Sequence, residues 1–411
     1  MKRIFFVCLA LVICLTGCKD STKRQISQFS PVKQTGTVPA EYTGAVLEKE
    51  LLLKALPVSD GYLLAENGVE KYDCNGNPVW QKGYPFLAGD CVPQMNFYAA
   101  DNDGFLISYG IARRQKEDGT SEKIDPVLAK CDKDGNLIWQ KTYAGFSETT
   151  IVKAFCFENG SVITIGYTEE KVAGKPGEAN PDDIYLSLLD EDGQLLSERY
   201  YGGTDFDFLY DAEYIEGIGL IALGTSQSRD GTFSASRDGS GEDIVMRIDS
   251  TLAIQWFKTL GTLLGPESMA VTEEGIYLLD LQNNFKKLDF DGQLLHDRPL
   301  YEKSQSVGIV GRLQQGFVIQ NDTKLLFYND LSVSRELDFD AGWVRKIVET
   351  DSGFIVVSIH STGKLPTPAY VSSMWSGTEI VYSCYSSEGG LLWRNAHDNT
   401  PKEIKNYSPE N

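Results

Sequence analysis

Histidine is scarce in this 411-residue chain, which contains only His296, His360 and His397. Zinc-dependent hydrolysis and a Ser-His-Asp triad both need a histidine within reach of its partners. The sequence also has no H-E-x-x-H, G-x-S-x-G, P-loop or strand-following G-x-G-x-x-G motif. It therefore predicts no catalytic residue, although paired carboxylates among its 58 acidic residues are an alternative source of glycoside-cleaving chemistry.

Closely spaced cysteine pairs are also missing. After residue 18 the chain keeps Cys74, Cys91, Cys131, Cys156 and Cys384, an odd number with no C-x-x-C spacing. This pattern argues against a disulfide framework in a chain of this length. One bridge between Cys74 and Cys91, the pair nearest in sequence, is one alternative, and buried free thiols are the other.

Positive charge is in deficit. Lysine and arginine number 38 against 58 aspartates and glutamates, which gives a formal net charge of −20. A field of this sign repels phosphate backbones, so nucleic acid is excluded as a partner. The excess of acid is compatible with bound cations, with a basic partner, or with a role in solubility alone.

Long apolar runs are absent after the N-terminus. Residues 4–15 form an apolar run behind Lys2 and Arg3, and this run of about 12 residues is shorter than the roughly 20 that a bilayer-spanning helix needs. Residues 1–17 therefore indicate an export signal. Residues 15–18 (Leu-Thr-Gly-Cys) resemble the lipobox of bacterial lipoproteins. The alternative is an ordinary secretory signal that a cysteine follows by chance.

The lipobox resemblance implies that Cys18 carries acyl chains such as palmitate and becomes the mature N-terminus. More than one acyl chain gives stable membrane anchoring. Residues 18–43 then form the lipidated cysteine and a polar, flexible spacer. We expect the domain to be tethered to a bacterial cell membrane outside the cytoplasm.

A repeat organises the remaining chain. The stretch DKDGNLIWQK, residues 132–141, recurs with its glycine, or a residue in the place of that glycine, at regular intervals. These anchor positions are Gly76, Gly135, Gly193, Leu252, Gly292, Leu331 and Gly389. Neighbouring anchors are 58 or 59 residues apart, except for intervals of 40 and 39 on either side of Gly292. Such regularity indicates seven copies of one structural unit.

Each anchor is followed by a similar pattern of side chains. Four positions after the anchor, four of the repeats carry a tryptophan: Trp80, Trp139, Trp256 and Trp393. The second position after the anchor is nearly always apolar, and the eighth is often aromatic. Because side chains alternate along a strand, we expect these three positions, including Leu137 and Trp139, to share one buried face.

A second turn precedes each anchor, so each unit is predicted to contain strand, tight turn, strand, loop, strand, tight turn and strand. Four antiparallel strands repeated seven times describe an all-β fold, a β-propeller over residues 44–398. Six or eight blades are alternatives; a sandwich or β-helix fits the repeat less well. The predicted blades are 44–84, 95–143, 149–201, 206–260, 266–300, 304–339 and 343–397, followed by a tail at 399–411.

Insertions concentrate in one class of loop, between the second and third strands of blades two, three, four and seven. These loops emerge on the same face of a propeller as the links between blades, so one face is elaborated. Loops on rigid scaffolds carry function. The blade-seven loop contains Tyr370 and Trp375, which lie outside the repeat register and are candidate ligand-binding residues. The alternative is that Trp375 packs back onto its own blade.

Few features of the sequence indicate a metal site. The D-x-D of DKDGNLIWQK resembles the start of a calcium loop, but its glycine comes too early, and Tyr143 stands where an EF-hand needs glutamate. The blade-four loop contains Asp230, Asp238, Glu242 and Asp243, which are candidate calcium ligands. Solvated acidic side chains are the alternative there.

The Gly-x-x-x-Trp spacing in DGNLIWQK, NGNPVWQK and GGLLWRN resembles the tryptophan-docking repeat of quinoprotein-like (PQQ-like) β-propellers. The resemblance covers about 350 residues and implies that each tryptophan packs against the neighbouring blade. The chain lacks the adjacent cysteine pair of quinone-binding members, so no PQQ is expected and no other cofactor is indicated.

The sequence therefore predicts a non-catalytic binding or scaffold module, anchored to a membrane by lipid, whose ligand is an unknown protein or glycan. One alternative is an extracellular carbohydrate-active enzyme with carboxylates in the mouth of the propeller. The other is a structural subunit of a cell-envelope assembly.

Overall fold

The computed structural model describes residues 55–58, 61–65, 69–73, 78–84, 91–112, 124–142, 150–168, 183–234, 242–260, 268–280, 282, 284–299, 307–313, 315–339, 342–350, 353–361 and 378–398. Residues 1–54, with Cys18 and the predicted spacer, and the predicted tail 399–411 lie outside this part. No helix of the described residues is long and apolar enough to cross a bilayer.

In the described part of the chain, twenty-eight strands form seven four-stranded antiparallel sheets. Blade one contains β1 (Ala55–Val58), β2 (Gly61–Ala65), β3 (Val69–Asp73) and β4 (Pro78–Lys82). Blade two contains β5 (Cys91–Ala99), β6 (Phe105–Ala112), β7 (Ile124–Cys131) and β8 (Leu137–Thr142). Blade three contains β9 (Thr150–Cys156), β10 (Val162–Thr168), β11 (Asp183–Leu189) and β12 (Leu195–Tyr201). Blade two thus begins at Cys91, ahead of the predicted residue 95.

Blade four contains β13 (Asp207–Ile215), β14 (Gly219–Ser226), β15 (Glu242–Ile248) and β16 (Ile254–Thr259). Blade five contains β17 (Met269–Thr272), β18 (Gly275–Leu279), β19 (Asn284–Leu288) and β20 (Leu294–Pro299). Blade six contains β21 (Val307–Leu313), β22 (Gly316–Asn321), β23 (Lys324–Asn329) and β24 (Ser332–Asp338). Blade seven contains β25 (Trp343–Thr350), β26 (Gly353–Ser361), β27 (Thr378–Ser386) and β28 (Leu391–Asp398).

Within every sheet the strands lie in chain order, and the first strand of each blade contacts the first strand of the next along the chain. Strands β1, β5, β9, β13, β17, β21 and β25 are therefore the innermost strands. Buried side chains form clusters between successive blades, such as Leu128, Trp139 and Tyr185 between blades two and three. The predicted seven-bladed β-propeller is confirmed.

The turn at Gly135 shows why the repeat needs its aspartate and glycine. Asp132 Oδ1 accepts hydrogen bonds from the backbone N–H groups of Asp134 (2.9 Å) and Asn136 (2.8 Å), and Gly135 has φ +75°. That φ suits glycine because it has no Cβ. Burial alone would raise the pKa of Asp132, but the hydrogen bonds from Asn136 and Asp134 outweigh it and lower that pKa. The acid thus stabilises a turn.

A β-bulge follows this turn in every blade and corrects one prediction. In blade two Leu137 pairs with Cys131 and Trp139 pairs with Lys130, so Ile138 is the extra residue. The partners Cys131 and Lys130 are adjacent and face opposite sides of the sheet, so Leu137 and Trp139 do as well. The prediction that both face inward is wrong: Trp139 is 9% exposed, but Leu137 is 42% exposed.

The same register shift occurs between the third and fourth strands of all seven sheets. The second position after the anchor is therefore not part of the buried face. A second correction concerns blade six, whose anchor was predicted at Leu331. Asn329 pairs there with Ser332, and the residue with positive φ is Asp330 (φ +53°), so this turn is shorter than the others.

The three repeat tryptophans whose side chains are described bridge blades, as the tryptophan-docking resemblance implies. A Cβ added to Gly193 of blade three would lie 2.6 Å from the Trp139 ring of blade two, and Trp139 Nε1 donates to the Glu191 carbonyl at 2.8 Å. Trp256 stands over Gly292 in the same way and donates to the Phe290 carbonyl at 2.8 Å. The ring of Trp80 covers Gly135. The anchor glycine thus turns the chain and also makes room for an indole.

Blade six achieves the same link with a different side chain. Arg335 occupies the tryptophan position, and its Nη1 donates to the Ser387 carbonyl of blade seven. Its guanidinium carbon lies 3.7 Å from the Phe327 ring centroid and 5.0 Å from that of Phe354. A planar guanidinium can stack and donate a hydrogen bond as an indole does.

We expect Arg335→Ala to lower the free energy of unfolding by about 1 to 3 kcal/mol, because it removes a charge-assisted hydrogen bond and a cation–π contact. Chemical denaturation would measure the loss. Lys133→Ala, at an exposed turn residue, is the control and should change stability by less than about 0.5 kcal/mol. Equal effects of the two substitutions would show that Arg335 does not link the blades.

Three cysteines of the described residues, Cys131, Cys156 and Cys384, are buried free thiols. Burial raises the pKa of each thiol to about 11, so all three are protonated and unreactive at neutral pH. Cys74 lies outside the described residues.

Candidate functional site

The predicted site residues fall into two groups. Cys18, Tyr370, Trp375, Asp238 and Gly76 lie outside the described residues, and so does the side chain of Trp393. Asp230, Glu242 and Asp243 are described and belong to blade four, next to the link from blade three.

The link between blades three and four and the loop between β14 and β15 form one hydrogen-bonded structure. It lies on the face where the insertions concentrate. We call residues 202–207 and 226–232 the linker–loop unit. The N–H of Thr232 donates to the Gly202 carbonyl (2.9 Å), and the N–H of Gln227 donates to the Phe206 carbonyl (2.8 Å). The N–H of Asp205 donates to Ser228 Oγ (3.0 Å). The link between the blades and the loop of blade four therefore hold each other in place.

Asp207 is the buried centre of this unit and is inaccessible to solvent. Its carboxylate accepts hydrogen bonds from the hydroxyls of Ser226 and Ser228 and from the N–H of Gly203 (2.8 Å). A Cβ on Gly202 would lie 2.0 Å from Asp183 Oδ1 and 2.8 Å from Asp207 Oδ2. The glycine therefore allows two buried carboxylates to approach the backbone and each other.

Burial raises the pKa of Asp207 from an ordinary 3.8 to about 6, and the neighbouring Asp183 raises it as well. The hydrogen bonds from Ser226, Ser228 and Gly203 oppose this rise by stabilising the carboxylate. Asp207 consequently changes its protonation state closer to neutrality than an exposed aspartate does.

Two of the candidate calcium ligands, Asp230 and Asp243, are engaged in protein contacts, whereas Glu242 Oε2 is buried without a hydrogen-bond partner in the described part of the chain. Asp230 Oδ1 accepts the N–H of Thr204 at 2.7 Å, and Asp243 Oδ1 accepts a long hydrogen bond from Tyr210 at 3.5 Å. Within the described ranges, no group of three or more histidine, cysteine or acidic side chains is placed to hold a metal ion. Asp230 thus supports the linker–loop unit, and calcium stays a prediction that includes the undescribed Asp238.

Phe206 projects from the linker–loop unit into solvent and is 46% exposed. Its backbone is held by Gln227, and the next residue is the buried Asp207. Beside it the rings of Tyr167 and Phe208 lie 5.9 Å apart and those of Phe208 and Tyr210 lie 5.3 Å apart. An exposed aromatic ring on a fixed backbone can bind a ligand with little loss of conformational entropy.

A second exposed aromatic side chain begins the innermost strand of blade seven. Trp343 is 53% exposed. Gln320 of blade six holds the backbone on both sides of it, donating from Nε2 to the Gly342 carbonyl (2.7 Å) and accepting the Val344 N–H (2.8 Å). Innermost strands begin on the elaborated face, so Trp343 and Phe206 are presented on the same side of the propeller.

Charged side chains meet in the centre of the ring. Lys153 Nζ of blade three lies 2.7 Å from Asp211 Oδ1 of blade four. Arg312 Nη1 of blade six lies 3.4 Å from Glu213 Oε2 of blade four. Because blade five separates blades four and six along the chain, this second pair is made across the central channel. We call Lys153, Asp211, Glu213 and Arg312 the channel cluster.

The channel cluster shifts the ionisation of its members. Burial raises the pKa of Glu213 despite the opposing charges of Lys153 and Arg312. Burial alone would lower the pKa of Lys153, but Asp211 and Glu213 outweigh it and raise that pKa. Two carboxylates therefore do converge in the channel, and the structure pairs each with a cation. Such pairing favours a structural or binding role over proton transfer.

Comparisons with known proteins found a likeness only to solved structures. No family model matches the chain, and no curated protein matches it in sequence. Similar solved structures include the Dos1 propeller, with 13% identity, 72% of each chain covered and a TM-score of 0.46. BamB from Moraxella catarrhalis has 14% identity, covers 82% of this chain and 96% of its own, and has a TM-score of 0.41. The C-terminal WD40 domain of Sif2 has 10% identity, 72% and 70% coverage and a TM-score of 0.44.

Proposed function

We propose that this protein is a non-catalytic binding module that holds a glycan or peptide on the elaborated face of its propeller. The observation that carries the proposal is the pair of exposed aromatic side chains, Phe206 and Trp343, each on a backbone that neighbouring groups hold in place. Aromatic side chains supply large contact area with few rotatable bonds, and they dominate binding energy in interfaces.

The proposed location is the outer side of a bacterial cell membrane, to which acyl chains on Cys18 attach the protein. The pattern of residues 1–18 supports this, because a basic start, an apolar run and Leu-Thr-Gly-Cys occur in order. Labelling of cells with radioactive palmitate tests it: the protein should take up the label, and Cys18→Ala should abolish the uptake. Labelling of the Cys18→Ala variant would refute anchoring at this cysteine.

Binding of the purified protein to glycan and peptide arrays tests the proposed function. We expect a reproducible ligand class whose signal falls about tenfold or more in Phe206→Ala or Trp343→Ala, in line with the loss of an aromatic contact residue. Leu295→Ser is the matched control, because Leu295 is exposed to a similar degree (56%) but follows a tight turn, and tight turns lie on the opposite face. Unchanged binding by both aromatic variants would contradict the proposal.

A carbohydrate-active enzyme is the second candidate, and the observation in its favour is the proximity of Asp211 and Glu213. They are alternate residues of β13, so their side chains leave the same side of the strand. Paired carboxylates are the machinery of most glycoside hydrolases. Polysaccharide hydrolysis that is lost in Glu213→Gln and retained in Phe206→Ala would support this candidate over binding alone.

A further inference from the structure

Exposed aliphatic side chains recur at one place in the repeat. Apart from Phe206 and Trp343, every large hydrophobic side chain that is exposed in the described part of the chain lies two or three positions after an anchor glycine. These side chains are Val79, Leu137, Ile138, Leu195, Leu196, Leu294, Leu295, Leu391 and Leu392. The bulge produces this exposure, because it turns both residues away from the buried face. None is needed to fill a core.

In blades one, two and three these side chains flank successive turns. Trp80 of blade one covers the turn of blade two, and Trp139 of blade two covers the turn of blade three. The turn of blade two therefore lies between Val79 and the pair Leu137 and Ile138, and the turn of blade three lies between that pair and Leu195 with Leu196. We call Val79 with residues 132–138 and 190–196 the rim band. It ends at blade four, where the polar Gln255 stands in the place of Ile138.

The turns within the rim band are acidic. Asp134, Glu191 and Asp192 are exposed, while Lys133 supplies the basic charge of the same turns. The chain as a whole carries a formal charge of −20. Isolated exposed leucines need no explanation, but exposed aliphatic side chains from three blades that alternate with two acidic turns form a patterned surface.

The backbone of the rim band limits what can bind there. A bulge interrupts the pairing of the fourth strand with the third in each of these blades, and such a bulge twists the free edge and disfavours pairing with another strand. The acidic turns repel an anionic membrane surface. An amphipathic helix with basic flanks meets both constraints, because its apolar face contacts the aliphatic pairs and its lysines or arginines contact the acids.

We propose that the rim band binds a cationic amphipathic helix of a partner protein. This site lies on the tight-turn side of the propeller, opposite the linker–loop unit, and does not depend on the proposed function. A protein with both surfaces would connect a ligand on one side to a partner on the other.

Titration of the purified protein with a fluorescent peptide of about 18 residues, an amphipathic helix of leucine and lysine, tests this proposal. The variant Ile138→Ser/Leu196→Ser keeps every charge and removes two exposed side chains of the band. We expect its dissociation constant to rise about tenfold or more. Leu294→Ser/Leu295→Ser in blade five, outside the band, is the matched control and should bind like the unmodified protein.

Equal affinity of the unmodified protein and the rim variant would overturn the proposal, because attraction would then come from net charge alone. Equal binding of a leucine and glutamate helix of the same pattern would overturn it as well. If neutral phosphatidylcholine vesicles sediment the unmodified protein and not the rim variant, the band binds lipid and the proposal is wrong. If Phe206→Ala no longer bound its ligand on the arrays, that result would concern the proposed function alone. The results of the peptide and vesicle experiments would be interpreted in the same way.

Discussion

Replacing Trp139 by alanine is expected to lower the free energy of unfolding by about 3 to 5 kcal/mol, the usual cost of removing a buried tryptophan. The indole is 9% exposed and lies against Gly193 of the next blade. It also donates a 2.8 Å hydrogen bond to the Glu191 carbonyl. The substitution removes contacts within blade two and between blades two and three. Denaturant unfolding followed by circular dichroism measures the loss.

Two further variants separate the contributions of packing and hydrogen bonding. Trp139→Phe keeps an aromatic ring and loses the indole N–H, so it should cost clearly less than alanine does. Ile138→Ala truncates the neighbouring bulge residue, which is 55% exposed, and should cost less than about 1 kcal/mol. If Trp139→Ala were no more damaging than Ile138→Ala, the tryptophan would not join the blades.

The second large effect is a pH dependence that originates at Asp207. Its folded pKa of about 6 lies above the ordinary 3.8, so the folded protein binds this proton more tightly than the unfolded chain does. The stabilisation is complete below about pH 4 and is lost as pH rises through 6. A shift of about 2 units corresponds to about 3 kcal/mol. Ionisation of Asp207 therefore makes the folded protein less stable at pH 7.5 than at acidic pH.

The substitution Asp207→Asn removes the titration and keeps the shape of the side chain. We compare the free energy of unfolding of the variant with that of the unmodified protein at each pH. The variant's advantage should be about 2 to 3 kcal/mol larger at pH 7.5 than at pH 4. Unfolding curves at several pH values give this difference. Asp230→Asn is the control, because Asp230 is exposed and accepts a hydrogen bond from Thr204 in the same unit. A pH-independent difference for Asp207→Asn would disprove the assignment.

Much of the fold could be predicted because the repeat is carried by local chemistry. Asp132 and Gly135 specify a turn whatever surrounds them, and the spacing to Trp139 repeats around the chain. The bulge could not be predicted in the same way. Simple alternation places Leu137 and Trp139 on one face, but the extra residue Ile138 puts them on opposite faces. A one-residue insertion reverses the side-chain direction without any signal in hydrophobicity.

The candidate site was predicted less completely. Trp343 lies outside the repeat register as Trp375 does, and this position is the sequence signal that marks both as candidate ligand-binding residues. Phe206 could not be distinguished from the half-buried aromatics Phe208 and Tyr210 by sequence alone, because its exposure depends on the linker–loop unit. The channel cluster depends on contacts across the ring, and nothing in the spacing of Glu213 and Arg312 indicates that they meet.

Hydrogen–deuterium exchange of the purified protein, with and without its array ligand, tests most directly the claim that the elaborated face is the binding site. The account predicts slower exchange in residues 202–208, in residues 226–233 and around Trp343 when ligand is bound. It predicts no change in the tight turns at 132–136 and 190–194. Slower exchange confined to those turns, with none in the linker–loop unit, would contradict it.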